Sequence, residues 1–130
     1  MFDNNVFVEN SCHNIIKDGK ITGFEMGTYI TYYRGIPLSM VNDIRVEVDG
    51  EKVPRENILF SADGEDWFTL EEMTTVTTYK WEYDQVAHIL VKKDGGLSKG
   101  IHGVKLAVIT RTAYIPVPLE GEKMRQVVIE

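Results

Sequence analysis

The stretch that decides the fold is residues 43–50, which read DIRVEVDG in one-letter code. Ile44, Val46 and Val48 alternate with charged side chains, so an extended strand here has one apolar face and one wet face. The Asp49-Gly50 pair that follows suits a tight hairpin turn, because both residue types tolerate positive φ. The stretch therefore predicts a half-buried β-strand that ends in a hairpin.

Three further stretches of the first two-thirds of the chain predict strands. Residues 58–68 hold two apolar runs around Asp63-Gly64 and predict a second hairpin, with Trp67 covering one edge of the core. From Phe24 to Tyr33 the side chains alternate with a period of two, which predicts a long strand. Residues 73–83, MTTVTTYKWEY, have high β propensity and a Thr-rich alternate face, which predicts a strand with one wet side.

The last third of the chain continues the pattern. Residues 86–93 are apolar on both faces until the lysines, and residues 93–100, with three glycines, predict a loop that is free to move. Residues 104–115 are apolar on both faces, which predicts a strand that is central or covered by another polypeptide, and the prolines after it end it. Residues 124–129 predict a last short strand tied into the sheet.

Short strands separated by Gly, Asn, Asp and Pro about every ten residues are typical of a β-sandwich or barrel. The chain has 130 residues, close to the commonest domain size of about 100–150 residues. We therefore predict one domain over residues 1–130, of the all-β class, built as an antiparallel, jelly-roll-like β-sandwich.

Charge and composition exclude several classes of partner. The chain carries 14 Lys and Arg against 20 Asp and Glu, a net charge of −6. That field repels phosphate backbones and anionic lipid, so we expect neither nucleic acid nor a membrane as partner. Cys12 has no second cysteine to bridge to, and the sequence has neither a signal-peptide pattern nor an apolar run long enough to span a bilayer. We therefore expect a cytoplasmic protein.

The sequence lacks the common catalytic motifs. It contains no G-x-S-x-G elbow, Walker A loop, H-E-x-x-H helix or dinucleotide-binding fingerprint. His13, His88 and His102 are far apart in sequence and lack metal-ligand spacing. Two alternatives stay open: a composite metal site of Cys12, His13 and a distant carboxylate, and a small enzyme whose metal is held by the histidines. The favoured expectation is a chain with no catalytic residue.

One segment combines the residue types of protein interfaces. Tyr32, Tyr33 and Arg34 are followed by GIPLSM at 35–40, whose Gly and Pro predict a shaped loop rather than a strand. Tyr, Arg and Met bring large contact area together with a polar or polarisable group. The segment therefore predicts an exposed functional loop, with packing inside the sandwich as the alternative for each tyrosine.

The same segment carries a family resemblance. Residues 32–40 (YYRGIPLSM), residues 43–51 (DIRVEVDGE) and the opening Phe2-Asp3-Asn4 resemble the small β subunit of bacterial C-glycoside deglycosidases. These two-subunit enzymes break the carbon–carbon bond between a sugar and a flavonoid. The likeness extends over nearly the whole chain and consists of loop and hairpin, without a catalytic signature.

The resemblance implies that two subunits divide the work. The larger α subunit is a TIM barrel that binds a divalent metal, commonly Mn²⁺, and carries the acid–base residues, and the β-sandwich docks on it in a heterodimer or a higher assembly. The substrate, bound mainly by the α subunit, is a C-glucoside whose sugar 3-hydroxyl is already oxidised to a ketone. A base removes the acidified C2 proton, the aglycone leaves from C1, and its aromatic carbon is protonated. The β subunit itself holds no cofactor.

The resemblance also implies where the subunits meet. We expect Tyr32, Tyr33, Arg34 and Pro37 at or near the interface with the α subunit. A buried structural ion pair is the alternative role for Arg34.

A second functional hypothesis is a stand-alone carbohydrate-binding sandwich. In that hypothesis Trp67, Trp81 and nearby tyrosines stack on sugar rings as flat apolar platforms. Such a module would bind glucosides without any partner, whereas an accessory subunit would not.

Overall fold

The structure, a computed structural model, describes residues 3–32, 34–111 and 117–129. Tyr33 and residues 112–116 lie outside the described residues. The predicted interface role of Tyr33 therefore stays a prediction. The strand predicted to run from residue 104 to Pro116 ends earlier, at Thr110, and Arg111 already lies outside it.

The described residues form β-strands joined by turns, with one short α-helix. In chain order the elements are β1 (His13–Lys17), β2 (Lys20–Thr28), β3 (Ile36–Pro37), β4 (Val41–Val48), β5 (Glu51–Lys52), β6 (Ile58–Ser61), β7 (Phe68–Thr69), α1 (Leu70–Met73), β8 (Lys80–Trp81), β9 (Ala87–Lys92), β10 (Gly100–Thr110) and β11 (Leu119–Ile129). Single 3₁₀ turns lie at Asp3–Asn5, Leu38–Met40 and Arg55–Asn57.

The strands make two larger antiparallel sheets and one small one. The five-stranded sheet has the order β1-β2-β9-β6-β7, the four-stranded sheet has the order β11-β10-β4-β5, and β3 pairs with β8. Both larger sheets contribute to a single buried cluster, with Phe24 and Ile89 from the first and Val46 and Leu106 from the second. The predicted all-β antiparallel sandwich is confirmed.

Both predicted hairpins are present. β4 pairs with β5 through a turn in which Asp49 and Gly50 have φ values of 51° and 86°, so the left-handed conformation expected of Asp-Gly is adopted. β6 pairs with β7, and between them Asp63 Oδ1 accepts hydrogen bonds from the backbone N–H groups of Glu65 and Asp66 at 2.9 and 3.0 Å. The Asp side chain therefore supplies the acceptor that the turn backbone lacks.

The strand predicted to be apolar on both faces is β10, which lies between β11 and β4. Val104, Leu106 and Val108 face the core, while Ala107 and Ile109 on the outer face are also buried. β11 pairs with β10 along its whole length, so the predicted last strand is tied into the sheet and begins earlier than the sequence pattern indicated.

The strand predicted over residues 24–33 ends early, because β2 stops at Thr28. The N-terminal segment takes over its hydrogen bonds: the Tyr29 N–H donates to the Asn5 carbonyl at 2.9 Å, and Asn5 Nδ2 donates to the Ile30 carbonyl at 2.8 Å. Contacts with residues so distant in sequence are invisible to a periodicity argument, which predicted the buried side chains but not the end of the strand.

The strand predicted over residues 73–83 is wrong except at β8. Thr69 and Glu72 form a capping box, in which each side chain bonds the backbone N–H of the other residue, and this starts α1 instead of a strand. The hydroxyls of Thr74 and Thr75 then donate to the carbonyls of the two glutamates in α1. Threonine side chains that bond the local backbone favour turns over strands, despite their β propensity.

The glycine-rich loop at 93–100 is pinned at its centre. Leu97 is buried in the core, and Asn14 holds it through two hydrogen bonds, from Asn14 Nδ2 to the Leu97 carbonyl and from the Leu97 N–H to Asn14 Oδ1. The burial of Leu97 and its two hydrogen bonds to Asn14 therefore restrict the motion that was predicted for this loop.

Candidate partner interface

The predicted interface segment begins where the chain leaves β2 and is fixed to the end of β10. The Thr110 hydroxyl donates to the Thr31 carbonyl at 3.0 Å, and the two threonine hydroxyls lie 3.1 Å apart in a fully buried position. Ile30 is completely buried beside them. A buried, satisfied pair of hydroxyls fixes the start of the segment with little freedom.

The rest of the segment is hydrogen-bonded to β8 and to the residues just before it. β3 pairs with β8, the Leu38 N–H donates to the Tyr79 carbonyl at 3.1 Å, and the Ser39 N–H donates to the Val76 carbonyl at 2.9 Å. A Cβ at Gly35 would lie 3.0 Å from the Trp81 carbonyl oxygen, which shows how closely the two segments approach. Residues 34–40 are thus a rigid surface feature whose shape is set by main-chain bonds.

The four predicted interface residues divide into interior and surface positions. Tyr32 is 7% exposed and belongs to the core, whereas Arg34 is exposed and Pro37 is half-buried. The exposure of Arg34 rules out the buried ion-pair alternative. Tyr33 lies outside the described residues. The interface role of the four residues stays a prediction, and of the three that the structure describes, Arg34 and Pro37 have surface that a partner can touch.

The chain on either side of β8 carries two exposed tyrosines. Tyr79 is partly exposed, meets Phe68 edge to face with 5.3 Å between ring centroids, and has its pKa raised by a hydrogen bond to Asp66. Tyr83, further along, is more than half exposed. The strand predicted over 73–83 gave the wrong directions for these side chains, because side chains in a turn do not alternate with a period of two.

One of the two tryptophans that the sugar-binding hypothesis requires at the surface is buried. Trp81 is fully buried, packs edge to face on Phe60 at 5.1 Å, and donates its indole N–H to the Gln85 carbonyl at 2.9 Å. It therefore holds the β3–β8 region onto the sandwich and offers no platform. Trp67 is half-buried, beside His88 with 6.4 Å between ring centroids.

Two histidines that are far apart in sequence meet on one carboxylate. His13 Nε2 lies 3.4 Å from Glu25 Oε2, and His88 Nδ1 lies 3.5 Å from Glu25 Oε1. Strand register brings them together, since His13 is opposite Glu25 and Glu25 lies on the strand that pairs with β9. The two rings approach different oxygens, so the three side chains do not converge on a single point.

The third histidine lies between an aspartate and a serine. His102 Nδ1 lies 2.8 Å from Asp49 Oδ2, and His102 Nε2 lies 2.8 Å from the Ser98 carbonyl and 3.3 Å from the Ser98 hydroxyl. Both ring nitrogens face acceptors, so the protonated ring is favoured and the pKa of His102 is raised, chiefly by Asp49.

This contact should make stability depend on pH. The pKa of His102 is raised above its ordinary 6.5, so its contribution is present below that value and is lost as pH rises through the folded-state pKa. The pKa of Asp49 is lowered by the same contact, so its contribution is lost at low pH. We expect Asp49→Asn to lower the melting temperature clearly at about pH 5.5 and much less at about pH 9. Equal losses at both values would contradict this.

Cys12 carries a partly buried thiol. It lies beside a gap of about 270 Å³ between the N-terminal segment and β11, and burial raises its pKa to about 12. Since the thiolate is the reactive form, we expect the folded chain to react with a disulfide reagent at about pH 8 at least tenfold more slowly than the chain unfolded in urea. Equal rates would show that the thiol is accessible.

The outer face of the four-stranded sheet carries a closed network of charges. Asp43 accepts hydrogen bonds from Arg45 and Arg55 at 3.0 and 2.9 Å; partial burial alone would raise the pKa of Asp43, but the bonds to Arg55 and Arg45 lower it overall. The Lys105 ammonium lies 3.2 Å from Glu47 and 3.3 Å from Glu122. These paired charges, together with Lys52, line an open groove of about 390 Å³.

Among the described residues, no group of three or more His, Cys, Asp or Glu side chains is arranged to hold a metal ion. The composite site of Cys12 and His13 is therefore not formed in this part of the chain. In the same part, no helix has the length and apolar character needed to cross a membrane.

Comparison with known proteins agrees with the resemblance carried by residues 32–51. A family model described as the C-glycoside deglycosidase beta subunit matches residues 2–114. The C-glycoside deglycosidase beta subunit of Eubacterium cellulosolvens is 33% identical over 99 residues, which are 76% of this chain and 67% of the relative. The chain belongs to the C-glycoside deglycosidase beta subunit family.

Proposed function

We propose that this chain is the accessory subunit of a carbon–carbon lyase, and that it docks on a larger catalytic α subunit. Family membership carries the proposal, since the relative is named as one subunit of a C-glycoside deglycosidase. The substrate we assign to the complex is a flavonoid C-glucoside with a ketone at C3 of the sugar. The reaction removes the C2 proton and expels the aglycone from C1, where carbon is otherwise a very poor leaving group.

Two features of the described residues support the proposal that the α subunit carries the catalytic residues. The two ring nitrogens of His102 are engaged by Asp49 and by the Ser98 carbonyl, and burial raises the pKa of the Cys12 thiol to about 12. We assign the divalent metal, Mn²⁺, to a TIM-barrel α subunit, as the family resemblance of residues 32–51 implies. When bound, such a metal supplies Lewis-acid stabilisation of the enolate.

The part that we give to this chain is a rigid docking surface at residues 34–40. Buried Ile36 and Leu38 hold the segment down, while Arg34 and Pro37 present surface outward. An arginine beside a proline-shaped turn offers hydrogen-bond donors on a backbone that loses little freedom on binding. We also propose the cytoplasm as the compartment, where a single cysteine without a disulfide partner is ordinary.

A mixing experiment tests the proposal. The chain and the α subunit are purified separately, and release of aglycone from a 3-oxo-C-glucoside is followed for each and for the mixture. We expect no turnover by this chain alone and turnover by the mixture above the rate of the α subunit alone. Turnover by this chain alone at the rate of the mixture would overturn the accessory role.

Calorimetry separates the proposal from the carbohydrate-binding hypothesis. We expect no heat of binding when the isolated chain is titrated with a C-glucoside, since Trp81 is buried and Trp67 is half-buried, which leaves neither tryptophan ring as an open platform. Saturable binding that is lost in Trp67→Ala would instead support the sugar-binding module.

A further inference from the structure

β11 is an edge strand whose C-terminal half has unused backbone groups. The Glu122 N–H donates to Asp3 Oδ1 at 2.9 Å, so the backbone of Glu122 points away from β10. Because backbone direction alternates along an antiparallel strand, Met124, Gln126 and Val128 point outward as well. Within the described residues, these three have no hydrogen-bond partner on that side. The 3₁₀ turn at Asp3–Asn5 thus covers the first half of the edge. A gap of about 270 Å³ separates the second half from the N-terminal segment at Phe7, Asn10 and Cys12.

The same half of β11 has an exposed apolar surface. Ile101, Met124 and Val128 are 68%, 64% and 62% exposed, and strand register places all three on the outer face of the four-stranded sheet, with Ile101 directly opposite Val128. Between them lies Gly103, where an added Cβ would lie 3.9 Å from Met124 Sδ. Gly103 adds no side chain to this face, and the exposed Gln126 opposite it is the polar residue between Met124 and Val128 on β11.

The segment also lacks the charges that usually keep edge strands apart. Exposed edges are commonly blunted by lysine or other charged side chains. Residues 124–129 read MRQVVI, with Arg125 as their single charge. Its guanidinium is directed inward, where Nε donates to the Phe7 carbonyl and the group lies 5.9 Å from the Phe7 ring centroid. Nothing in this stretch repels an identical strand.

We propose that a second copy of this chain pairs with residues 124–128 of β11, antiparallel and across a twofold axis at Gln126. This register places Met124 opposite Val128 of the second copy and Gln126 opposite Gln126, so apolar groups meet apolar groups and no two like charges face each other over those residues. A strand that matches itself in this way favours an identical partner over an unrelated one. The two four-stranded sheets become one continuous sheet.

The pairing leaves the proposed docking surface free. The Arg111 N–H donates to the Met40 carbonyl at 2.9 Å, which places the 34–40 segment at the Thr110 end of β10. Ile101 lies at the other end of that strand, about 30 Å away at the usual rise per residue. A dimer of this chain and its complex with an α subunit can therefore coexist.

Sedimentation velocity of the purified full chain, over a concentration series, tests the pairing. We expect a species of twice 14.8 kDa for the unmodified chain. Met124→Lys, which puts a charge into the apolar patch, and Gln126→Pro, which removes an N–H that β10 does not use, should both give monomers. Ile16→Lys is the matched control, because Ile16 is 70% exposed on β1, the edge of the other sheet, and we expect it to remain a dimer.

Other outcomes would overturn the pairing. A chain that stays monomeric to its solubility limit would show that this edge does not pair with a second copy, and a trimer would exclude the twofold axis. Dimers that persist in both β11 variants, or that are lost in Ile16→Lys, would place the contact elsewhere. Circular dichroism of each variant confirms that a monomer is folded. Catalytic turnover does not enter, so failure here leaves the accessory role untouched.

Discussion

Trp81→Ala is expected to lower the free energy of unfolding by about 3–5 kcal/mol, the range measured for removal of large buried aromatic side chains. Trp81 is fully buried, its ring packs on Phe60, and its N–H is satisfied by the Gln85 carbonyl. Truncation removes the packing, leaves a cavity, and deprives that carbonyl of its donor. The loss is the sum of these effects.

Two further variants separate these contributions. Trp81→Phe keeps most of the apolar volume and removes the N–H, so we expect a loss of about 1–2 kcal/mol. Trp67→Ala removes the other tryptophan, which is half-buried, and we expect about 1 kcal/mol. Guanidinium unfolding with a constant m-value provides the comparison. Equal losses for Trp81→Ala and Trp67→Ala would contradict the burial on which the prediction rests.

The tryptophan also links the fold to the proposed function. Ile36 lies opposite Trp81 in the β3–β8 pair, so the backbone that presents Arg34 is fixed against the residue whose side chain anchors β8. Loss of the indole should therefore increase hydrogen exchange at the Ile36 and Leu38 amides more than in β10. A uniform increase would show that the segment has no local dependence on Trp81.

The elements that local pattern defines were predictable from the sequence. In β4, alternation of apolar and charged residues fixed the strand, and Asp49-Gly50 fixed its end because few residue types adopt positive φ at low cost. In β10, apolar residues on both faces predicted a central strand, as found. These features depend on neighbours in sequence, which is the information that one sequence contains.

The errors arose where a distant or competing contact decides the structure. β2 ends at Thr28 because the N-terminal segment bonds the residues after it, and no periodicity contains that contact. The helix at 70–73 had a visible signal, since Thr69 and Glu72 have the spacing of a capping box, but the β propensity of the threonines concealed it. Propensity is a weak preference that side-chain hydrogen bonds to the backbone can reverse.

The candidate sites were less predictable than the fold. Glu25 meets His13 and His88 only through the register of three strands, which one sequence does not determine. The segment 32–40 was recognised by its residue types, yet those types do not separate Tyr32, which is buried, from Arg34, which is exposed. The alternation of apolar and polar residues was the available signal, and it no longer predicts burial after β2 ends at Thr28.

Arg34→Glu is expected to weaken association with the α subunit at least tenfold, since truncation of interface arginines commonly costs about 2 kcal/mol and reversal adds repulsion. Arg34 is exposed at the start of the 34–40 segment, so the fold should tolerate the change and the melting temperature should stay the same. Sedimentation of the purified chain with the purified α subunit measures the association.

Added negative charge could weaken association of this chain, whose net charge is −6, wherever the charge is placed. A control must therefore reverse a positive charge outside the docking surface. Lys99→Glu reverses another exposed cation, in the loop before β10, at the opposite end of that strand from Met40. We expect it to leave association within about twofold, because a remote surface charge is screened beyond about 10 Å at ordinary salt. Arg34→Lys should restore part of the affinity, since the charge returns without the planar group. If Arg34→Glu and Lys99→Glu weaken association equally, the effect is general repulsion, and residues 34–40 do not form the docking surface.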